Sequence, residues 1–232
     1  MTLVRRAPLL AALLAATAAL SATAMLPAAA RDSTVVRDGV TLHFVDAGDA
    51  LDAATQDAII ETFFATYPRQ AADFNAGAPD TVRITIDPGY DGVAFVDDAA
   101  MTINPGWLAE HPRDIDLVTH EAMHIVQAYG RGETPGWLVE GIADWARDAY
   151  GLDNAAGGWA LPTGIAPDHR YDSGYRVTGA FLKWAEGRHP GLVRGLDASL
   201  RAQRYTPATW TALTGRDVDA LWAQYVAARA AE

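Results

Sequence analysis

Read for the spacing of its apolar positions, the chain divides into a strand-rich first half and a helical second half. Val40 to Val45 alternates apolar and polar residues and predicts a strand. From Thr55 to Asn75, Ile59, Ile60, Phe63, Phe64 and Tyr67 recur at helical spacing, with Pro68 at the weak point of the predicted helix. Val82 to Ile86 is a second strand, closed by the turn signal of Asp87-Pro88-Gly89-Tyr90-Asp91-Gly92. Val93 to Val96 and Ala100 to Asn104 predict two short strands joined through Asp97-Asp98, and Pro105 to Glu110 a helical turn. Beyond them the period is helical. Val118, Ala122, Ile125 and Tyr129 form one apolar face. Gly174 to Glu186, Leu192 to Gln203 and Asp217 to Ala230 are further amphipathic segments. Leu152 to Asp172 is rich in Gly and Pro, with little pattern, and is long enough to be a lid. No repeat and no linker interrupts this order. The expectation is α+β: a small N-terminal mixed sheet with a helix, then a helix pair and a helical C-terminal part, as a single domain over 31–232.

The first thirty residues do not fit that domain. Arg5 and Arg6 precede an apolar run from Ala7 to Leu20, broken only by Pro8 and Thr17, and Ala28-Ala29-Ala30 fits a small-residue cleavage signal, with Ala22-Thr23-Ala24 an earlier option. This reads as a signal peptide over 1–30, too short for a comfortable membrane span. The mature chain is then secreted or periplasmic, with no stable membrane anchor after cleavage. It has no cysteine, so thiol chemistry and disulfides are excluded and stability must come from the core and any bound metal. The whole chain carries −11; without Arg5 and Arg6 it has 16 basic against 29 acidic residues, or −13. Such a charge argues against nucleic acid and anionic membranes as partners.

The chemistry concentrates in His120-Glu121-Ala122-Met123-His124 and Gly136-Trp137-Leu138-Val139-Glu140-Gly141-Ile142-Ala143-Asp144. On a helix, His120 and His124 stand one turn apart on one face and can grip one metal ion. Glu121 sits at the edge of that face, within reach of water on the ion without being a ligand. A hydrolytic zinc site takes three protein ligands and leaves one position open. The third ligand is sought 16 residues after His124, at Glu140, with Asp144 the alternative. Gly130 as a helix stop, and Thr134-Pro135 as N-cap and first helical residue, would bring Glu140 back beside the histidines. Asp144, four residues on, would accept the free N–H of a ligand histidine. A metzincin would need Gly and His where Gln127 and Gly130 stand, so the third ligand is a carboxylate.

H-E-x-x-H followed by W-L-x-E-G-x-A at this spacing resembles the gluzincin peptidases, which include thermolysin and the M1 aminopeptidases. That resemblance implies a zincin-like fold, with an edge strand along the cleft. It makes Ala100, Met101, Thr102 and Ile103 substrate-cleft candidates. Together with Tyr171-Asp172-Ser173-Gly174-Tyr175-Arg176-Val177-Thr178-Gly179-Ala180-Phe181-Leu182 and Val218 to Tyr225, the second segment also resembles the plant basic secretory protein family, the peptidases of plants and bacteria. The likeness runs from about His120 to the C-terminus. It implies a secreted zinc peptidase acting on peptide or protein. The acidic charge departs from the basic plant members, so their partners do not transfer.

The expected mechanism is metal-assisted peptide hydrolysis, with Zn2+ held by His120, His124 and Glu140, and Glu121 as general base. A donor to the developing oxyanion is expected from Tyr175, or else from Tyr171, His169 or Arg176. His43, His111 and His189 are isolated and receive no role. Two rival functions share the motif. One is a non-catalytic binding protein of defence type with zinc as a staple, against which the general base Glu121 speaks. The other is a zinc hydrolase of a non-peptide amide such as one in a cell wall.

Overall fold

The computed structural model describes residues 31–130 and 132–231. The signal segment expected over 1–30 lies outside the described residues. The architecture is α+β: a five-stranded sheet followed, among the described residues, by a mostly helical half.

The strands are β1 (Arg31–Arg37), β2 (Val40–Asp46), β3 (Thr81–Ile86), β4 (Ala94–Asp97) and β5 (Ala100–Ile103), in the spatial order β1-β2-β3-β5-β4. The central pairs β2/β3 and β3/β5 are parallel, while β1 and β4 join antiparallel at the two edges. The sequence reading missed β1. It presents no apolar face, and its Val36 is 64% exposed. Its hairpin turn is Asp38-Gly39, both at positive φ (49° and 84°), a dipeptide that signals a two-residue hairpin. Alternation fixes the inner strands. Leu42 and Phe44, Val82, Ile84 and Ile86, and Met101 and Ile103 are all buried on one face. A one-residue slip of β3 would turn three of these to water at a cost of about 1.5–3 kcal/mol each.

Helix α1 (Ala53–Phe74) makes the crossover from β2 to β3, started by Asp52, whose carboxylate accepts from Thr55 N–H. It carries Pro68 inside a continuous helix. Its Ile59, Phe63 and Tyr67 join the sheet's buried face in one core. After α2 (Pro105–Glu110) comes α3 (Leu117–Gln127), which packs against α1, β4 and β5 on one side and α4 (Gly136–Tyr150) on the other. Then follow α5 (Tyr175–Glu186), α6 (Leu192–Arg201), α7 (Ala208–Thr214) and α8 (Val218–Arg229), stacked outward from α4. The sequence reading also missed α7, a seven-residue piece anchored by the fully buried Trp210.

α3 is held along its length by polar ties that its own sequence does not show. Gln70 of α1 donates to Thr119 O and Asn75 donates to Val126 O. Arg201 of α6 donates to Val126 O and Gln127 O, two of the carbonyls that a helix C-terminus leaves unpaired. The boundaries differ from expectation at two places. α3 stops at Gln127 with left-handed Ala128 (φ 42°) as its cap, two residues before Gly130. α4 begins at Gly136 with Pro135 as N-cap and no capping side chain, so Thr134 does not serve as the cap.

Candidate metal centre

The 3.6-residue period sets His120 and His124 on the same face of α3, with ring centroids 4.8 Å apart and planes at 80°. Each ring spends its Nδ1 on a protein acceptor. His120 Nδ1 donates to Asp144 Oδ1 at 2.7 Å, and His124 Nδ1 donates to Gln127 Oε1 at 2.7 Å. Both Nε2 atoms therefore turn inward, and they lie 3.1 Å apart. Glu140, carried in by α4, brings its Oε2 to 3.3 Å from His120 Nε2 and 3.5 Å from His124 Nε2.

Three donor atoms thus meet at one point, and among the described residues these three side chains are the group that could hold a metal ion. The fit can be tested on their spacing. A tetrahedral zinc ion with bonds of ~2.0–2.1 Å separates its ligand atoms by ~3.3 Å. The observed separations of 3.1, 3.3 and 3.5 Å bracket that value. Two imidazoles and one carboxylate, with an acceptor on each distal ring nitrogen, are also the donor set that zinc takes in hydrolytic sites.

Without an ion the same crowding is balanced by a proton. Burial works against a charged His120, but hydrogen bonds to Asp144 and Glu140 outweigh it, and its pKa is pushed up to about 10. Burial likewise works against the Glu140 carboxylate, which its histidine partners nevertheless hold down at about 2. Glu121 differs. It is only 8% exposed, and burial raises its pKa, aided by the Glu140 charge and opposed by the two histidines and Arg147. In the absence of an ion, this buried carboxylate holds a proton more readily than a free one does.

Asp144 is 3% exposed and sits one turn beyond Glu140 on α4. Its place depends on how closely α5 lies on α4. A Cβ at Gly141 would stand 2.2 Å from Thr178 Cγ2, and one at Gly179 would stand 3.2 Å from Asp144 Cβ and from Trp145 N. The start of α5 is secured by Thr178, which donates to Tyr171 O and accepts from Gly174 N–H. The next residue, Tyr175, has φ +44°, a conformation that a bulky residue rarely adopts, and it is 60% exposed. It is no buried helix-start tyrosine. Its hydroxyl pKa is raised first by the Glu140 charge, then by burial, then by Asp144 and Glu121.

His120, Glu121, His124, Glu140, Asp144 and Tyr175 all line one cleft of about 1320 Å³, as does Arg176. The other two oxyanion candidates are engaged elsewhere. His169 Nδ1 accepts from Ala166 N–H, and Tyr171 packs edge-on against Trp137. The cleft wall also holds His111, whose ring lies 3.9 Å from that of Trp107. One part of the expected lid, Gly157 to Trp159, forms a fixed wall. Asp116 accepts from Leu152 N–H and Asp153 N–H, Arg147 stacks 4.4 Å from the Trp159 ring, and Arg147 pairs with Asp114.

One expectation is corrected. Ala100, Met101, Thr102 and Ile103 form β5, which is hydrogen-bonded on both sides, with Met101 and Ile103 buried in the core. The strand at the edge, lining the cleft from Ala94 to Asp97, is β4. The two strands are adjacent in sequence and similar in pattern; the order β3-β5-β4 is a long-range choice that neither strand announces. Gln127 was also missed. It is 2% exposed, accepts from His124, and donates its Nε2–H to Val139 O at 2.9 Å. Its spacing, three residues after His124 at the end of α3, is the one signal that could have marked it.

No curated protein matches the chain. Among solved structures it is similar to a two-domain M1 zinc metallopeptidase mutant bound to L-tryptophan, at 14% identity and a TM-score of 0.53, over 85% of this chain and 51% of that one. An M1 zinc metallopeptidase mutant from Deinococcus radiodurans, bound to the substrate Tyr-Ser-Ala, matches over the same shares at 15% identity and a TM-score of 0.46. The chain therefore spans about half the length of these structures, and the first likeness is one of fold. The sequence itself matches the family model described as peptidase of plants and bacteria over residues 42–225, most of the chain, and the protein belongs to that family.

Proposed function

We propose that the protein is an exported zinc metallopeptidase of gluzincin type, which hydrolyses peptide bonds with Glu121 as general base. The observation that carries this reading is the convergence of His120 Nε2, His124 Nε2 and Glu140 Oε2 within 3.1–3.5 Å, with the buried Glu121 on the same cleft. Membership of a peptidase family supports a peptide over other amides as substrate. Export rests on the sequence of residues 1–30.

A zinc ion held by the three side chains supplies a Lewis acid that acidifies water and polarises a carbonyl. The chain's own groups do the rest. Asp144 and Gln127 hold the imidazoles so that each presents Nε2 to the centre. Glu121 accepts the proton of the attacking water and delivers it to the leaving amine, a role its place on the cleft beside the three donors favours. Tyr175, a phenol that ordinarily keeps its proton at neutral pH, lines the same cleft and donates to the developing oxyanion. The edge strand β4 offers backbone groups for an extended peptide to pair with.

The test is incubation of the zinc-loaded protein with a diverse peptide pool, with products read by mass. Cleavage that stops on chelation and returns with zinc is expected. Tight zinc binding without cleavage of any peptide would overturn the peptidase reading and leave a zinc-stabilised binding protein, or a hydrolase of another amide, in its place. The mature N-terminus of the exported protein, read by mass, tests the signal segment.

A further inference from the structure

Edge strand β4 does not offer all of its free backbone to a peptide. Val93 O accepts from Asn104 N–H, which makes Val93/Asn104 a hydrogen-bonded pair of the antiparallel ladder. Such pairs alternate, so Phe95 and Asp97 also bond inward to β5, while the N–H and C=O of Ala94 and Val96 point out of the sheet. These outward groups are what a strand-adding peptide would use. One is already taken. Tyr90 folds back over its own turn, its hydroxyl reaching Ala94 O at 3.4 Å and its ring lying 4.9 Å from that of Phe95. The fold-back needs a bare backbone beneath it, since a Cβ on Gly92 would stand 2.2 Å from the Tyr90 hydroxyl oxygen.

Resting on the peptidase reading, we propose that Tyr90 is a specificity-determining residue that occupies the Ala94 end of the edge strand, so that the cleft favours peptides short enough to pair at Val96 alone. A longer peptide must first displace the tyrosine and break its bond to Ala94 O before its own amide can take that place. The exchange is near-neutral in hydrogen bonds but unfavourable in packing, because the Tyr90 ring leaves the Phe95 ring. The cost falls on binding rather than on the chemical step, which happens at the metal cluster.

The test uses two peptides with the same cleaved bond, one trimmed to the minimum that is cut and one extended in both directions. The variants are Tyr90→Ala, which removes the obstacle, and Gly92→Ala, which keeps the tyrosine but leaves its folded-back position no room. In both, the KM of the long peptide relative to that of the short one should fall by roughly 2- to 10-fold, the scale of one net backbone hydrogen bond. kcat should move alike for the two peptides. Using both variants guards against a fold defect in either. An unchanged KM ratio in both variants, with the parent active, overturns this inference alone. A parent that cuts no peptide overturns the peptidase reading, and this inference with it.

Discussion

The Gln127 amide is a clamp between His124 and Val139. Its Oε1 accepts from His124 Nδ1 while its Nε2 donates to the carbonyl next to Glu140. A carbonyl can only accept, so the amide cannot flip, and His124 Nδ1 must carry the proton. His124 Nε2 is thereby left with a lone pair aimed at the cluster. One side chain sets a ring tautomer on α3 and tethers the segment of α4 that carries the third donor.

Gln127→Leu keeps the volume and breaks both bonds. Zinc affinity should fall by about 10–100-fold, the usual loss for such supporting partners. Asp144→Asn, which weakens the acceptor on the other histidine, should fall in the same range. Zinc competition against a chromophoric chelator measures both. Parental affinity in Gln127→Leu would show that the clamp is dispensable.

Glu121 and Glu140 should separate cleanly. Glu121→Gln leaves the three donors intact, so zinc should stay at one per chain while turnover falls by at least ~100-fold. Glu140→Ala removes a donor, so zinc should be lost or much weakened and the melting temperature should drop with it. Bound zinc after dialysis, thermal melting and peptide cleavage on both variants decide the assignment. Tight zinc in Glu140→Ala would pass the ligand role to Asp144.

Tyr175→Phe takes away one hydroxyl from an exposed ring. Loss of an oxyanion donor should lower kcat by ~100-fold or more, with zinc content and melting unchanged. A near-parental kcat would move the role to Arg176, which lines the same cleft.

Stripped of metal, the protein should show a bounded pH window of greatest stability. His120 has its pKa raised to about 10, so its contribution is full below its ordinary value of 6.5 and is lost as pH rises through about 10. Glu140 is lowered to about 2, so its contribution is present above its ordinary value of 4.5 and is lost as pH falls through about 2. Melting in the presence of chelator should therefore be highest between about 4.5 and 6.5 and decline on the alkaline side. Zinc needs both imidazoles unprotonated, so the extra melting temperature it confers should grow over that same alkaline range. A chelated melting temperature that stays flat from 6.5 to 10 would contradict the His120 assignment.

Much of the centre was legible because its parts are local. His120, Glu121 and His124 lie within one turn and a half, and Glu140 and Asp144 are one turn apart on the next helix, so helical periodicity alone groups them. What was not legible depends on distant chain. Gln127 matters because Val139 arrives beside it. β4 is the edge because β5, later in sequence, inserts between it and β3. β1 is illegible for a different reason: its partner supplies the pairing and it carries no apolar alternation of its own, although Asp38-Gly39 marks the turn.

The contact of Gly141 with Thr178, and of Gly179 with Asp144, gives α4 and α5 a common gauge. Glu140 and Asp144 ride on one helix and Tyr175 begins the other, so how closely the two helices approach at these glycines governs how far the carboxylates stand from the tyrosine. A methyl at either would act as a shim, pressing the helices apart while leaving each of those side chains chemically whole. Under the proposed function, such a variant should keep zinc affinity yet lose turnover, which separates the spacing of the two helices from the chemistry of the groups they carry.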